Sequence, residues 1–341
     1  MRTTLHIGVE KTGTTTIQAF LDRNRRSLQS DQRIVVTRRF GIGNSRDLAT
    51  YAIRDDYFND DHLMELGIAT VEAKNEFKAQ VSMELSRLVA ESARSDRLLL
   101  SSEHFQSRLK SVAEVSGLRV LLDANGFSVD SIVVYMRDPA EVIQSMYSTA
   151  LRGGSAVEPP TSADNPHWNH ICDYRATIER WCSGFPNSVV QPRLFMPELF
   201  PGKSLIADFC AAVTIRLGPR LHVPRPLNVG LTEEGQELLR EVNESAPWLK
   251  EPRHRRLRDE IVRYVDERFA RESPRPQESL VRSCAERFSD SNEWVRSHYF
   301  PDRESLFQPH QPTASAARQA ASKGSLSDAR KWIRRRLDRA R

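Results

Sequence analysis

Between an apolar run at Leu5–Ile7 and helical apolar spacing at Ile17, Phe20 and Leu21 lie Gly8, Lys11, Thr12, Gly13, Thr14, Thr15 and Thr16. Glycines let a backbone turn tightly and come close to a ligand. A lysine adds a movable positive charge, and threonine hydroxyls donate hydrogen bonds. A strand, such a loop and a helix N-terminus together form the geometry in which backbone N–H groups and the helix dipole hold a phosphate. The plainer alternative is a helix capped by threonine. Threonine is a poor helix former, and four of them with a lysine between two glycines exceed what capping requires. The spacing is not that of a Walker A loop, whose lysine directly follows the second glycine. Here Thr14 follows Gly13, and Lys11 stands two places before it.

Two further strand ends carry chemistry. Leu98-Leu99-Leu100 reads as a buried strand that runs out into Ser101, Ser102, Glu103 and His104. In open α/β sheets, ligands bind outside the carboxyl ends of strands. Glu103 or His104 therefore stands where a general base would act. A solvated carboxylate and a packed imidazole are the plainer readings of the two. Ser131–Met136 reads as another buried strand, ending in Arg137 and Asp138. Pro139 suits the first turn of the helix that follows, and Ser145 falls more than two turns into it. The planar guanidinium of Arg137 matches a dianionic phosphate in geometry. The ordinary reading there is a surface arginine between a strand and a helix.

The order Lys11-Thr12-Gly13-Thr14-Thr15, set in the frame His6-Ile7-Gly8 with Gln18 beyond it, resembles the 5′-phosphosulfate loop of sulfotransferases. Those enzymes use 3′-phosphoadenosine 5′-phosphosulfate (PAPS) as donor. Within them the frame looks most like the bacterial, carbohydrate-directed branch. Arg137, Pro139 and Ser145 repeat the family's 3′-phosphate motif, an arginine followed eight residues later by a serine. Leu100-Ser101-Ser102-Glu103 is similar to a stretch that supplies a glutamate base in several carbohydrate-acting members. Leu227–Thr232 resembles a stretch that recurs late in that branch. The resemblance implies that Lys11, Thr12, Gly13, Thr14, Thr15 and Thr16 bind the 5′-phosphosulfate and that Arg137 and Ser145 bind the 3′-phosphate. It implies Lys11 at the bridging oxygen, and Glu103, with His104 as the alternative, as base. It covers residues 5–21 and 132–147 strongly and ends near 305.

The elements that must position these residues are those of an α/β fold: a mostly parallel sheet with helices on both faces, related to P-loop nucleotide-binding folds, with extra C-terminal helices. A second strand is expected at Ile34–Thr37 and a helix over about Ala73–Ala93. Residues 152–170 form a loop rich in Gly and Pro, suited to an acceptor lid. His167, His170 and Cys172 lack a second ligand pair, so no metal is expected. Helices are expected at Lys203–Val213, at Thr232–Asn243 with Thr232 as its cap, at Arg255–Arg271 and at Glu278–Phe288.

Composition narrows the class. At 341 residues, with 39% hydrophobic and 28% charged content, the chain can bury a sizeable core. There is no run of eighteen apolar residues that would span a membrane. The first strand begins almost at once, leaving no apolar signal region, so a cytoplasmic enzyme is expected. Cys172, Cys182, Cys210 and Cys284 show no disulfide framework. Residues 309–341 hold nine Lys/Arg against two Asp, a net +7, which leaves residues 1–308 at −2 out of the whole-chain +5. No nucleic-acid stripe is therefore expected in the body. The domain expectation is one α/β domain over 1–308 and a flexible basic tail over 309–341. In that tail 309–324 reads as a linker, and Ser327 as the cap of a short helix with Ala329, Ile333, Leu337 and Ala340 on one face. A solvated tail and peripheral contact with anionic lipid or polysaccharide are its two readings.

The expected reaction is sulfuryl transfer from PAPS to a hydroxyl or amine, the acceptor being a carbohydrate, glycolipid or glycosylated metabolite. Two other functions fit parts of the same sequence. A P-loop kinase would need a Mg²⁺ carboxylate closing a strand, for which Asp138 is the candidate. A non-catalytic nucleotide-binding protein tethered by its basic tail would have no need of a base at Glu103.

Overall fold

The computed structural model describes residues 1–224, 230–270, 274–308 and 323–340. In chain order its elements begin with β1 (Arg2–His6), α1 (Thr14–Gln32), β2 (Ile34–Val35), α2 (Arg46–Ala52), α3 (Asp61–Glu65), α4 (Val71–Glu91) and β3 (Arg97–Ser101). Next come α5 (Glu103–Arg108), α6 (Val112–Ala124), β4 (Ser128–Met136), α7 (Pro139–Arg152), α8 (Pro166–Cys172), α9 (Tyr174–Gly184) and β5 (Val189–Leu194). Helices α10 (Leu205–Ala212), α11 (Glu233–Ser245), α12 (Arg255–Phe269), α13 (Glu278–Tyr299) and α14 (Lys323–Ala340) complete the described residues, apart from short 3₁₀ turns.

The strands form one sheet in the order β2-β3-β1-β4-β5, and every pairing in it is parallel. This is the α/β architecture expected, with extra helices after β5. Ile132–Met136 are all buried, as a strand covered on both faces must be. Val133 and Tyr135 pack with Ile17, Phe20 and Leu21 of α1 and Ile206, Phe209 and Cys210 of α10. Side chains alternate along a strand, so Ile132 and Val134 turn to the other face. Helices α6 and α9 contact β4 and β5 respectively. The apolar positions 17, 20, 21 and 28 give α1 the stripe that buries it on the sheet.

Composition divides the chain at about 308, whereas compactness divides it into two units with several crossings. The first is Met1–Arg137, Pro166–Leu227 and Asp290–Leu306, and it holds the whole sheet. The second is Asp138–Asn165, Asn228–Ser289 and Phe307–Arg341. Its core joins Tyr147 and Leu151 of α7, Leu238, Leu239 and Val242 of α11, Ile261, Val265 and Phe269 of α12, and Ala329 and Ile333 of α14. Arg152 forks onto Asp266, with Nε and Nη2 at 3.0 and 2.9 Å from Oδ1. Arg330 donates to both oxygens of Glu241 at 2.9 and 2.6 Å, and the rings of Tyr264 and Trp332 stack at 3.8 Å.

Several boundaries differ from those expected. The second strand is only Ile34–Val35, and α13 runs to Tyr299 rather than stopping at Phe288. Ser327 is not a cap: α14 already begins at Lys323, so Ser327 is exposed inside it. The face carrying Ala329, Ile333 and Leu337 gains more by packing in the second unit than a shorter, separately capped helix would. Thr232 does cap α11, its hydroxyl accepting from the Gly235 amide. Of the linker expected at 309–324, residues 323–324 lie in α14 and 309–322 lie outside the described residues, as do residues 227–229 of the Leu227–Thr232 stretch.

Candidate functional site

Strand register brings three distant stretches to the carboxyl end of the sheet's central strands. β1 lies between β3 and β4, with His6 opposite Ser101 and Val133. The Ser102 amide donates to His6 O at 2.9 Å and the Ile7 amide to Val133 O at 3.0 Å. The loop after β1, Glu103 after β3 and Arg137 after β4 therefore leave the sheet side by side, at the carboxyl ends where open α/β sheets place ligands.

The loop is tightly built. Thr12 donates its hydroxyl to Val9 O at 2.6 Å inside the turn. Lys11 has φ +68° and Gly13 φ +77°, two left-handed positions with one residue between them. Only Gly13 is free of a Cβ penalty there; a Cβ on it would lie 2.3 Å from Leu205 Cδ2. A lysine held left-handed stores about 1 kcal/mol or more of strain, a cost typical of functional turns. Gly13 starts α1 with no side-chain cap and no acidic residue in the first turn, unlike α4, α5, α6, α7, α9, α10 and α11, each of which has a side-chain cap. The positive end of the α1 dipole is thus uncompensated by a carboxylate of its own first turn. Thr14 Oγ1 is buried with no hydrogen-bond partner among the described residues, and a Cβ on Gly8 would sit 2.8 Å from it. A buried orphan hydroxyl beside a glycine is a cradle for a polar group. Thr16 is buried and Thr15 exposed.

At the foot of the loop His6 is fully buried, its Nδ1 2.8 Å from Ser101 Oγ. Burial pushes its pKa down to about 3, so the ring is neutral at neutral pH. Arg137 is held from several sides. Its Nη1 donates to Lys11 O at 3.1 Å, and its guanidinium lies 5.5 Å from the Phe195 ring centroid. Its amide donates to Tyr174 Oη at 3.3 Å, while the Tyr174 hydroxyl donates back to the Arg137 carbonyl. The loop and Arg137 are therefore parts of one hydrogen-bonded assembly.

Glu103 is the first residue of α5, which Ser102 caps through the His104 amide at 3.2 Å. Gln18 Nε2 donates to Glu103 Oε2 at 2.7 Å, and Glu103 Oε1 is 3.9 Å from His104 Nε2. Burial lowers the His104 pKa, with Arg46 and Arg108 pushing the same way against Glu103 and Glu10. The imidazole thus lies beside the half-buried Glu103 carboxylate.

Ser145 is half-buried on α7, in the second unit, so Arg137 and Ser145 belong to different units. Asp138 caps α7, accepting from the Ala140 and Glu141 amides at 3.0 and 3.2 Å. His170 Nε2 lies 2.8 Å from Gln106 O, and its pKa is pushed down to about 4, first by burial and then by Arg180. Reasoning from sequence missed the contacts of Gln18, Tyr174 and Phe195. Gln18 lay within the quoted motif, but only strand order could pair it with Glu103, and nothing local marks Tyr174 or Phe195.

The crystal structure of a sulfotransferase from Alicyclobacillus acidocaldarius is similar to 74% of this chain and 94% of its own, at 16% sequence identity and a TM-score of 0.41. No protein-family model matches the chain, and no curated protein matches it significantly. Among the described residues no helix is long and apolar enough to cross a membrane.

Proposed function

We propose that the chain is a sulfotransferase that moves the sulfuryl group of PAPS onto a hydroxyl, or an amine, of a carbohydrate, glycolipid or glycosylated metabolite. The observation that carries this reading is the β3-β1-β4 register, which gathers the Lys11–Thr16 loop, Glu103 and Arg137 at the carboxyl end of the sheet. The loop amides with Thr14, Thr15 and Thr16 hold the 5′-phosphosulfate at the α1 N-terminus. Arg137 binds the 3′-phosphate.

In the reaction Glu103 takes the acceptor's proton as the acceptor oxygen bonds to sulfur. The bond from sulfur to the bridging phosphate oxygen breaks, and its electron pair stays on adenosine 3′,5′-bisphosphate. Lys11 neutralises that oxygen as its charge develops, which stabilises the transition state more than the ground state. Positioning and charge stabilisation do most of the work, as in phosphoryl transfer. Asp138, the carboxylate a kinase would need, uses its Oδ1 to cap α7.

The test is to incubate the protein with sulfur-labelled PAPS and a lysate separated into glycan, lipid and small-molecule pools. Label should enter the glycan or glycolipid pool with wild type and not with Lys11→Ala. No transfer to any pool would reject the reading.

A further inference from the structure

We propose that Gln18 is a positioning residue for the base: its side-chain amide holds Glu103 Oε2 so that Oε1 is the oxygen presented to the acceptor. This inference rests on the sulfotransferase reading and adds a role to a residue outside the phosphate loop.

The contact is short and its polarity is unambiguous. An ionised carboxylate only accepts, so the Gln18 amide must offer Nε2, here 2.7 Å from Oε2. Gln18 is one turn beyond Thr14 on α1, on the same helix face, whereas Glu103 opens α5 after β3. The bond therefore ties the helix that carries the anion loop to the residue that would accept the proton. Glu103 is a long side chain at the first position of a six-residue helix. Without a fixed partner it would spread over several rotamers, each placing its oxygens differently.

The other oxygen is kept available. Oε1 faces His104 Nε2 at 3.9 Å, beyond hydrogen-bond distance. Burial favours the neutral imidazole, so no ion pair captures Oε1 from that side. A neutral amide also orients a carboxylate without the full charge of a Lys or Arg partner, which would hold the proton-accepting form too firmly. Gln18 thus selects which oxygen acts, and His104 lines the site beside it.

The experiment is a double-mutant cycle with Gln18→Met, which keeps length but removes the donor, and Glu103→Gln. Turnover and KM for PAPS are measured for all four proteins, together with their thermal midpoints. Gln18→Met should lower kcat about 10- to 100-fold, the scale of a misplaced catalytic group, with KM for PAPS unchanged. In the Glu103→Gln background it should lower kcat no further, and the midpoint shifts should be non-additive. Gln18→Glu, which sets two carboxylates together, should lower kcat at least as far. Unchanged kcat in Gln18→Met, or equal loss in both backgrounds, would overturn the positioning role while wild-type transfer stands. If wild type transfers nothing, the reading of the site fails, and the positioning role fails with it. The midpoints then report separately whether Gln18 and Glu103 are coupled at all.

Discussion

At the residue scale the site rests on a few charged and polar groups whose removal has separable effects. Arg137 is fixed through both its backbone and its guanidinium, so its truncation reads ligand binding more than collapse of the strand end. Arg137→Ala should weaken adenosine 3′,5′-bisphosphate about 10- to 150-fold, the cost of a charge-assisted bond, and adenosine 5′-phosphate much less. Calorimetric titration with both nucleotides checks this; equal losses would make the arginine structural. Glu103→Gln keeps size while removing proton acceptance, so transfer should slow about 10²- to 10⁴-fold with donor affinity kept. Lys11→Ala should damage both quantities, measured by initial rates and by titration of the bisphosphate. If Glu103→Gln turns over normally and His104→Ala does not, the base is His104. His6 gives a pH dependence whose sign follows from burial. Its native pKa, about 3, lies below the ordinary 6.5. Between those values the unfolded chain binds a proton that the native chain excludes, so stability falls as pH is lowered through 6.5 towards 3, and above 6.5 the term vanishes. Denaturant midpoints at about pH 7.5 and about pH 4.5 should therefore fall further for wild type than for His6→Gln. Equal falls would mean that the imidazole titrates normally.

At the element scale α14 is the clearest case of a segment whose fate its composition obscured. Its arginines suggest a solvated tail, yet Ala329 and Ile333 are buried in the core of the second unit. Trp332 stacks on Tyr264, and Arg330 and Arg336 pair with Glu241 and Glu260. Ile333→Ala should cost about 2–4 kcal/mol, as for a core aliphatic side chain. Arg335→Ala, on the exposed side of the same helix, should change stability by less than about 0.5 kcal/mol. Urea denaturation of the two variants decides between docking and a loose tail, which would leave both near wild type. Other element ends were legible because their signals are local. Thr232 and Pro139 stand at helix starts where capping chemistry favours them. Ser327 also has the chemistry of a cap, but burial of the α14 face extended the helix past it.

At the scale of the whole molecule, the proposed donor site predicts which nucleotide stabilises the fold. Binding to the native state alone adds about 2.7 kcal/mol at a ligand concentration of about 100 Kd. Adenosine 3′,5′-bisphosphate should therefore raise the thermal midpoint without Mg²⁺, and ATP with Mg²⁺ should raise it less. Differential scanning fluorimetry with both ligands checks this, and the reverse order would favour the kinase. Most of the charge imbalance sits in residues 309–341, so this response should not depend on general attraction of polyanions to the rest of the chain.

What the sequence determined by itself was whatever depends on neighbours along the chain. The Lys11–Thr16 loop between an apolar strand and an amphipathic helix, the buried strands ending at Ser101 and Met136, and the proline-led helix after Arg137 were all readable from period and residue type. The α/β class followed from their alternation. Tertiary structure decided which ends meet. Gln18 and Glu103 are 85 residues apart, and Arg137 and Lys11 are 126 apart. No local propensity encodes either pairing. Both follow from β1 taking the place between β3 and β4, a choice made by burying the apolar faces of the whole sheet at once.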